Sequence, residues 1–311
     1  MPDRLADSRA SAALVALGCT WGGSFLFIKV LLDEVSPMEV VAGRLFLGSL
    51  AVGAFMLWRR MKLVWTPWLL ARMLVMATLA NVLPFALITW GQEYIDSGLA
   101  SVLNATVPIF TAVAAAAFLA EERFTAGRLA GLVLGLLGIV VLTGDEILNI
   151  TDSNVLGQLA VVAAAACYGV SATYSRTLLR EYDPVNLSAL QLMMATVLSA
   201  PLVLLFTGSP EYGSMSLKAW ASLLALGLAG TGIAYIAYLW LIEHIGTVRA
   251  SLVTYIVPVV ALFLGWAVLD ESIGLSTLAG GALIIVGVAS VMRGQGPGRQ
   301  VRVEPAVAGA R

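Results

Sequence analysis

Ten runs of about 20 predominantly apolar residues, separated by short polar connections, constrain this chain more than any other feature. They lie at approximately 11–31, 37–58, 69–92, 98–119, 127–144, 155–178, 185–207, 217–242, 248–269 and 275–292. A helix needs about 20 apolar residues to cross a hydrocarbon core, and in that medium every backbone polar group must be satisfied within the protein. The ten runs cover about two-thirds of the 311 residues, which predicts an all-α integral membrane protein with ten transmembrane helices. Composition agrees: 59% of residues are hydrophobic and 12% charged, whereas a soluble domain carries roughly twice that charge. A water-soluble enzyme is excluded on these counts. A net charge of −1 leaves no basic field for nucleic acid. One His and two Cys, Cys19 and Cys167 in apolar runs, offer neither a metal site nor a disulfide framework. No cofactor, metal or catalytic residue is expected.

Orientation follows from the basic residues in short loops. Of the 18 Lys and Arg, 15 fall on one side of a ten-span arrangement, including Arg59, Arg60, Lys62, Arg72, Arg123, Arg128, Arg180 and Arg249. The other side has essentially Lys218. Both termini are thus expected in the cytoplasm, with residues 1–10 as a short cytoplasmic segment and 293–311 as a disordered cytoplasmic tail rich in Gly, Pro and Arg.

The chain also repeats itself. At a shift of 147, the stretch from Trp21 to Pro37 lies over that from Tyr168 to Pro184, aligning Gly22 with Gly169, Ser24 with Ser171, Lys29 with Arg176 and Glu34 with Glu181. At a shift of 150, Trp90, Glu93, Ser101 and Pro108 coincide with Trp240, Glu243, Ser251 and Pro258, and Glu121 with Glu271. Two units result, 11–145 and 155–292, each with five spans. Five is odd, so the second unit must cross in the opposite sense. Inverted repeats are a common architecture of secondary transporters, which bind substrate near the midplane where the halves meet.

The stretches ASVLNATVPIFTAVAAAAFLAEERFTAGRLAGLVLGLLGIVVLTG (Ala100–Gly144) and ASLVTYIVPVVALFLGWAVLDESIGLSTLAGGALIIVGVASV (Ala250–Val291) resemble the EamA-type branch of the drug/metabolite transporter superfamily. The resemblance covers nearly the whole chain. It implies a ten-helix transporter of small metabolites in the cell membrane (the inner membrane in a bacterium), frequently an exporter of amino acids or related compounds.

Polar side chains inside hydrocarbon are costly, so their positions point to function. Ser101 and Asn104 precede Pro108, and Ser251, Thr254 and Tyr255 precede Pro258. Each proline denies a donor to the carbonyl four residues back, that of Asn104 or Thr254, so both helices are expected to kink. Either the polar side chains repair the backbone, or they line a substrate cavity. Asn81, Phe85, Ile88 and Gln92 share a helical face, as do Thr231, Tyr235 and Tyr238, while Trp21 with Ser24 and Tyr168 with Ser171 complete the set. Aromatic walls with neutral hydrogen-bonding groups suit an amphipathic small molecule, although buried aromatics also serve simple packing.

Arg44 lies within the second span, where its repeat mate is Gln191. It either holds a substrate carboxylate, braces free carbonyls, or snorkels outward. Lys29 with Glu93 and Arg176 with Glu243 occupy outer and inner span ends, and are read either as alternating ionic latches or as four separate interfacial charges. His244, beside Glu243, is a titratable group at the inner boundary. Gly127, Gly131 and Gly135, with Gly280, Gly281 and Gly287, suit close packing of spans 5 and 10 and offer a contact for a homodimer. The reading favoured is a secondary exporter of a small amphipathic metabolite. The alternatives are a sugar-phosphate or nucleotide-sugar carrier, which wants more intramembrane cations, and a non-transporting membrane scaffold.

Overall fold

The computed structural model describes residues 2–118, 126–144, 152–178, 182–208 and 210–293. Helices and short connections are the only regular elements among them, as the apolar runs require. In chain order they are α1 (Pro2–Leu32), α2 (Pro37–Trp58), α3 (Pro67–Ala77), α4 (Leu83–Gly91), α5 (Ser97–Asn104), α6 (Val107–Phe118), α7 (Ala126–Thr143), α8 (Ser153–Leu178), α9 (Pro184–Thr207), α10 (Leu217–Leu224), α11 (Ala234–Ala250), α12 (Val253–Leu269) and α13 (Leu275–Arg293). Eight continuous helical stretches are apolar and long enough to cross a membrane; two shorter apolar helices, Leu129–Thr143 and Val253–Leu269, overlap the remaining two runs. The tail beyond Arg293, the Glu121 loop and the Arg176 side chain lie outside the described residues.

Local sequence sets the helix starts. Pro37, Pro67 and Pro184 each open a helix, where a missing N–H costs nothing. Ser36, Thr66 and Asp183 precede them, and each accepts a bond from the first-turn backbone. Ser36 and Glu39 close a reciprocal capping box.

The runs at 69–92 and 217–242 are not uniform α-helices. Thr78–Val82 links α3 to α4 as a π-helical turn, and Ala225–Ile233 links α10 to α11 in the same way. Such turns release backbone groups and re-aim side chains. The proline expectations divide. α5 and α6 break at Ala105–Thr106, just ahead of Pro108, whereas α12 runs straight through Pro258. In the second half the break ahead of the proline falls at Ser251–Leu252, between α11 and α12, while Gly246 (φ 80°, ψ 159°), in a backbone that glycine tolerates, turns the chain between the 217–242 and 248–269 runs.

Packing joins the two halves of the chain throughout. α1 lies against α12 and α8 against α6; α2 lies against α9, and α7 against α13. The glycine stripes serve this last pair. A Cβ on Gly131 would sit 2.5 Å from the Gly287 carbonyl oxygen, and one on Gly138 2.8 Å from that of Gly280. Backbones therefore touch, and these glycines act within the chain. The outward surface carries large apolar side chains, among them Phe46, Leu57, Leu137, Val197, Phe206 and Phe263, as a lipid-facing surface must.

Candidate functional site

Close helix approach assembles a polar cluster where α2, α4, α9 and the 225–233 π turn meet. Gly48 on α2 stands so near this turn that a Cβ would reach 2.7 Å from Thr231 Cγ2; on Gly227 it would reach 2.5 Å from Leu47 Cβ. Only hydrogen side chains permit this contact. It brings Arg44, 6% exposed, against fully buried Thr231, and Arg44 Nε donates to Thr231 Oγ1 at 3.2 Å. The guanidinium carbon stands 3.7 Å from the Phe85 ring centroid, a cation–π contact. Of the alternatives left open for Arg44, snorkelling and carbonyl bracing are both set aside: the side chain points inward and meets a hydroxyl and a ring.

A second bond pair mirrors the first. Gln191 Nε2 donates to Asn81 Oδ1 at 2.5 Å, and Asn81 Nδ2 donates to the Tyr235 hydroxyl at 2.9 Å. Asn81 lies in the 78–82 π turn and Thr231 in the other. The phenols of Tyr168 and Tyr235 lie within electrostatic reach of the guanidinium. Nearby, Trp21 Nε1 donates to the Gly230 carbonyl at 3.2 Å, and its ring meets that of Tyr238 with centroids 5.3 Å apart. A Cβ on Gly230 would sit 2.8 Å from Ser24 Oγ, so α1 closes this side. Phe85, Tyr168, Thr231 and Tyr235 thus gather around Arg44, with Asn81 joining Gln191 to Tyr235, while Trp21, Ser24 and Tyr238 meet beside Gly230.

Other expected cavity residues do not join that cluster. Ser101 Oγ donates to the Gly98 carbonyl and Ser171 Oγ to that of Tyr168, each within its own helix. The Tyr255 hydroxyl donates to Met292 Sδ at 3.2 Å, toward α13. Ser251 and Thr254 are half-buried. Asn104 Oδ1, Thr89 Oγ1 and both side-chain polar atoms of Gln92 are sealed and have no hydrogen-bond partner.

Of the two charge pairs, Lys29 and Glu93 is the one with both side chains described. Lys29 Nζ donates to the carbonyls of Gln92 and Ile95, at 2.6 and 3.0 Å. It caps backbone left open after α4 and is not bonded to Glu93, which is exposed. Burial raises the Glu93 carboxyl, with Lys29 opposing; burial and the neighbouring Glu271 raise Asp96. Glu243 is exposed, and its partner Arg176 has no described side chain. His244 is exposed and stacks on Trp240, with Nδ1 2.8 Å from the Trp240 carbonyl oxygen.

Three carboxylates fasten the end of the molecule that holds the 33–36, 92–96, 210–216 and 270–274 connections. Glu39 accepts from the Glu211 backbone at 2.6 Å, Glu34 from that of Ser216 at 2.7 Å, and Glu271 from those of Ser97 and Gly98 at 2.7 and 3.1 Å. The Ser216 bonds hold the Glu34 carboxyl below its usual range. A cavity of about 360 Å³ opens here, lined by Glu34, Glu39, Glu93 and Glu211 among others. The residue reading passed over Glu39 as a site, although Ser36-Pro-Met-Glu39 carries the capping-box signature. Glu34 and Glu271 had no local signal, because their partners lie 182 and 174 residues away.

The EamA-like transporter family matches residues 9–144 and 155–293. An uncharacterized transporter of Bacillus subtilis, YoaV, is 30% identical over 275 residues, covering 88% of this chain and 94% of its own. A "probable terminal-alkyne amino-acid exporter" of Streptantibioticus cattleyicolor is 29% identical, covering 92% and 94%. The uncharacterized inner membrane transporter YedA of Escherichia coli is 28% identical, covering 84% and 83%. A solved crystal structure described only as that of a protein superposes with a TM-score of 0.64 at 22% identity, covering 91% of this chain and 97% of that one.

Proposed function

Since this chain belongs to the EamA-like transporter family and is a multi-pass cell-membrane protein, we propose that it exports a small amphipathic metabolite, an amino acid or related compound, by alternating access. Ten spans form two inverted five-helix halves, 11–145 and 155–292, with both termini in the cytoplasm. The substrate occupies the space around Arg44, Asn81, Phe85, Tyr168, Thr231 and Tyr235.

One observation carries the reading. Arg44 and Gln191 are repeat mates, as are Asn81 and Thr231, and Phe85 and Tyr235. The bonds Arg44–Thr231 and Gln191–Asn81 are therefore the same contact made twice, each time between the halves. The helix pairs support this: exchanging the halves turns α1 against α12 into α8 against α6, and leaves α2 with α9 and α7 with α13 unchanged. A polar junction shared by two inverted units is where a transporter of this architecture binds its cargo. The exporter name of the Streptantibioticus relative favours amino-acid-like cargo. A sugar phosphate is less suited, because Arg44 is the one buried cation among the described residues.

Efflux of labelled amino acids from proteoliposomes tests the proposal. Rates that saturate with internal substrate, and exceed those of protein-free vesicles, are expected. Non-saturating conductance would point to a channel and reject it. Labelling of single cysteines placed in the 59–66 and 210–216 connections tests orientation, the first reacting from the cytoplasmic side and the second from outside.

A further inference from the structure

Arg44 is a charge without a counter-charge. It is 6% exposed, and the partners of its guanidinium are a threonine hydroxyl, an aromatic ring and two nearby phenols, all uncharged. The other buried charged residue among those described is Glu39, whose carboxylate is engaged with Ser36 and the Glu211 backbone. Burying a cation with no anion is among the costliest arrangements in a protein, and in a membrane interior such a residue marks a ligand or ion pathway. Nε is bound to Thr231. The two Nη groups have no acceptor among the described residues and are not among the fully sealed unpartnered atoms, so they keep some access to a ligand. The Phe85 ring against the guanidinium plane fixes the orientation of this fork, and paired Nη donors match the two oxygens of a carboxylate.

No comparable partner awaits an ammonium group. Tyr168, Tyr235, Asn81 and Gln191 are neutral, and Gln191 and Asn81 already bond each other. A single fixed positive charge also balances one negative charge, and not the two of a phosphate monoester.

We propose that Arg44 is the carboxylate anchor of the substrate site: the transported molecule is an organic monocarboxylate, and an α-amino group is dispensable. This inference rests on the transporter reading above and narrows it from amphipathic metabolites to acids.

Purified protein in proteoliposomes loaded with equal amounts of amino acids, 2-oxo acids, 2-hydroxy acids, amines, sugars and sugar phosphates provides the test, with efflux resolved by mass spectrometry against protein-free vesicles. Efflux confined to the carboxylates, with and without an amino group, is expected. Arg44→Gln should lower it at least tenfold. That variant should fold, because Gln191 occupies the mate position in the second half; an unchanged unfolding temperature verifies this. If it does not fold, Arg44→Lys keeps the charge and loses the fork, and should lower carboxylate efflux while folding normally. Efflux of amines, sugars or sugar phosphates at rates equal to the acids, or carboxylate efflux unchanged in a folded Arg44 variant, overturns the anchor and leaves the transporter reading intact. No efflux above the protein-free level overturns the transporter reading itself.

Discussion

Replacing Asn81 by Leu keeps its branching and number of heavy atoms and removes both its hydrogen bonds, from Gln191 Nε2 and to the Tyr235 hydroxyl, at 2.5 and 2.9 Å. Asn81 is fully buried and Gln191 is 7% exposed, so water does not readily replace either partner. Polar bonds between helices of a membrane bundle contribute about 0.6 kcal/mol on average and up to about 1.7. Two bonds make Asn81→Leu cost about 1–3 kcal/mol, and Gln191→Leu, which breaks one of them, about 0.6–1.7. Because the broken bond is shared, the double variant should cost no more than Asn81→Leu alone. The cycle then leaves a coupling of about 0.6–1.7 kcal/mol, a factor of about 3 to 18 in the unfolding constant. Reversible unfolding in mixed micelles, followed by circular dichroism, measures it. Thr143→Val serves as control, since Thr143 bonds Gln158 at 2.7 Å in a separate network; combined with Asn81→Leu it should be additive within about 0.3–0.5 kcal/mol. A coupling for the Asn81–Gln191 pair no larger than that of the control would refute the bond between the halves.

Gly131→Ala should lower the unfolding temperature, because its Cβ would meet the Gly287 carbonyl oxygen at 2.5 Å; overpacking of about 1–3 kcal/mol outweighs a helix-propensity gain of about 1. Gly53→Ala, with nothing within 4 Å of the added carbon, should leave it equal or higher. Lys29→Met should destabilise by about 1–2 kcal/mol by exposing the carbonyls of Gln92 and Ile95, measured by the same unfolding assay. The Glu34 carboxyl is lowered from 4.5 mainly by its bonds to Ser216. A lowered acid stabilises the fold above its unfolded value and loses that contribution as pH falls through the folded one. The stability difference between wild type and Glu34→Gln should therefore be full above pH 4.5 and vanish on further acidification, read from melts across pH 3–7.

Hydropathy alone located the apolar helices, because a membrane span is the one element whose length is set by its solvent. Helical-face periodicity went further: it singled out Phe85, Thr231 and Tyr235, which stand by Arg44, and Asn81, which bonds Tyr235. What remained illegible has a common physical cause. The π turn at 225–233 bears no proline or charge to announce it, whereas the one at 78–82 is followed by Pro84, which leaves the Ala80 carbonyl without its usual donor. The bonds of Lys29 to the carbonyls of Gln92 and Ile95 were equally hidden, because they join residues more than 60 positions apart. The partners of Glu34 and Glu271 lie 182 and 174 residues away, beyond any local pattern. Both prolines lie shortly after a helix break, at 105–106 and 251–252, but the break itself falls at residues with no turn signal of their own.

Arg44 and Gln191 hold corresponding places in the two halves and differ by one full charge. Two separate copies of a single half, meeting face to face, would be unable to make that difference. They would present two guanidiniums to a common space, repelling each other, or two amides with no charge to offer. A near-symmetric junction with a single cation needs two halves of different sequence, which one polypeptide supplies because each half is free to diverge from its mate. Covalent linkage here does more than hold the halves together: it lets the polar junction carry its charge on one side alone, the asymmetry on which the proposed carboxylate anchor depends.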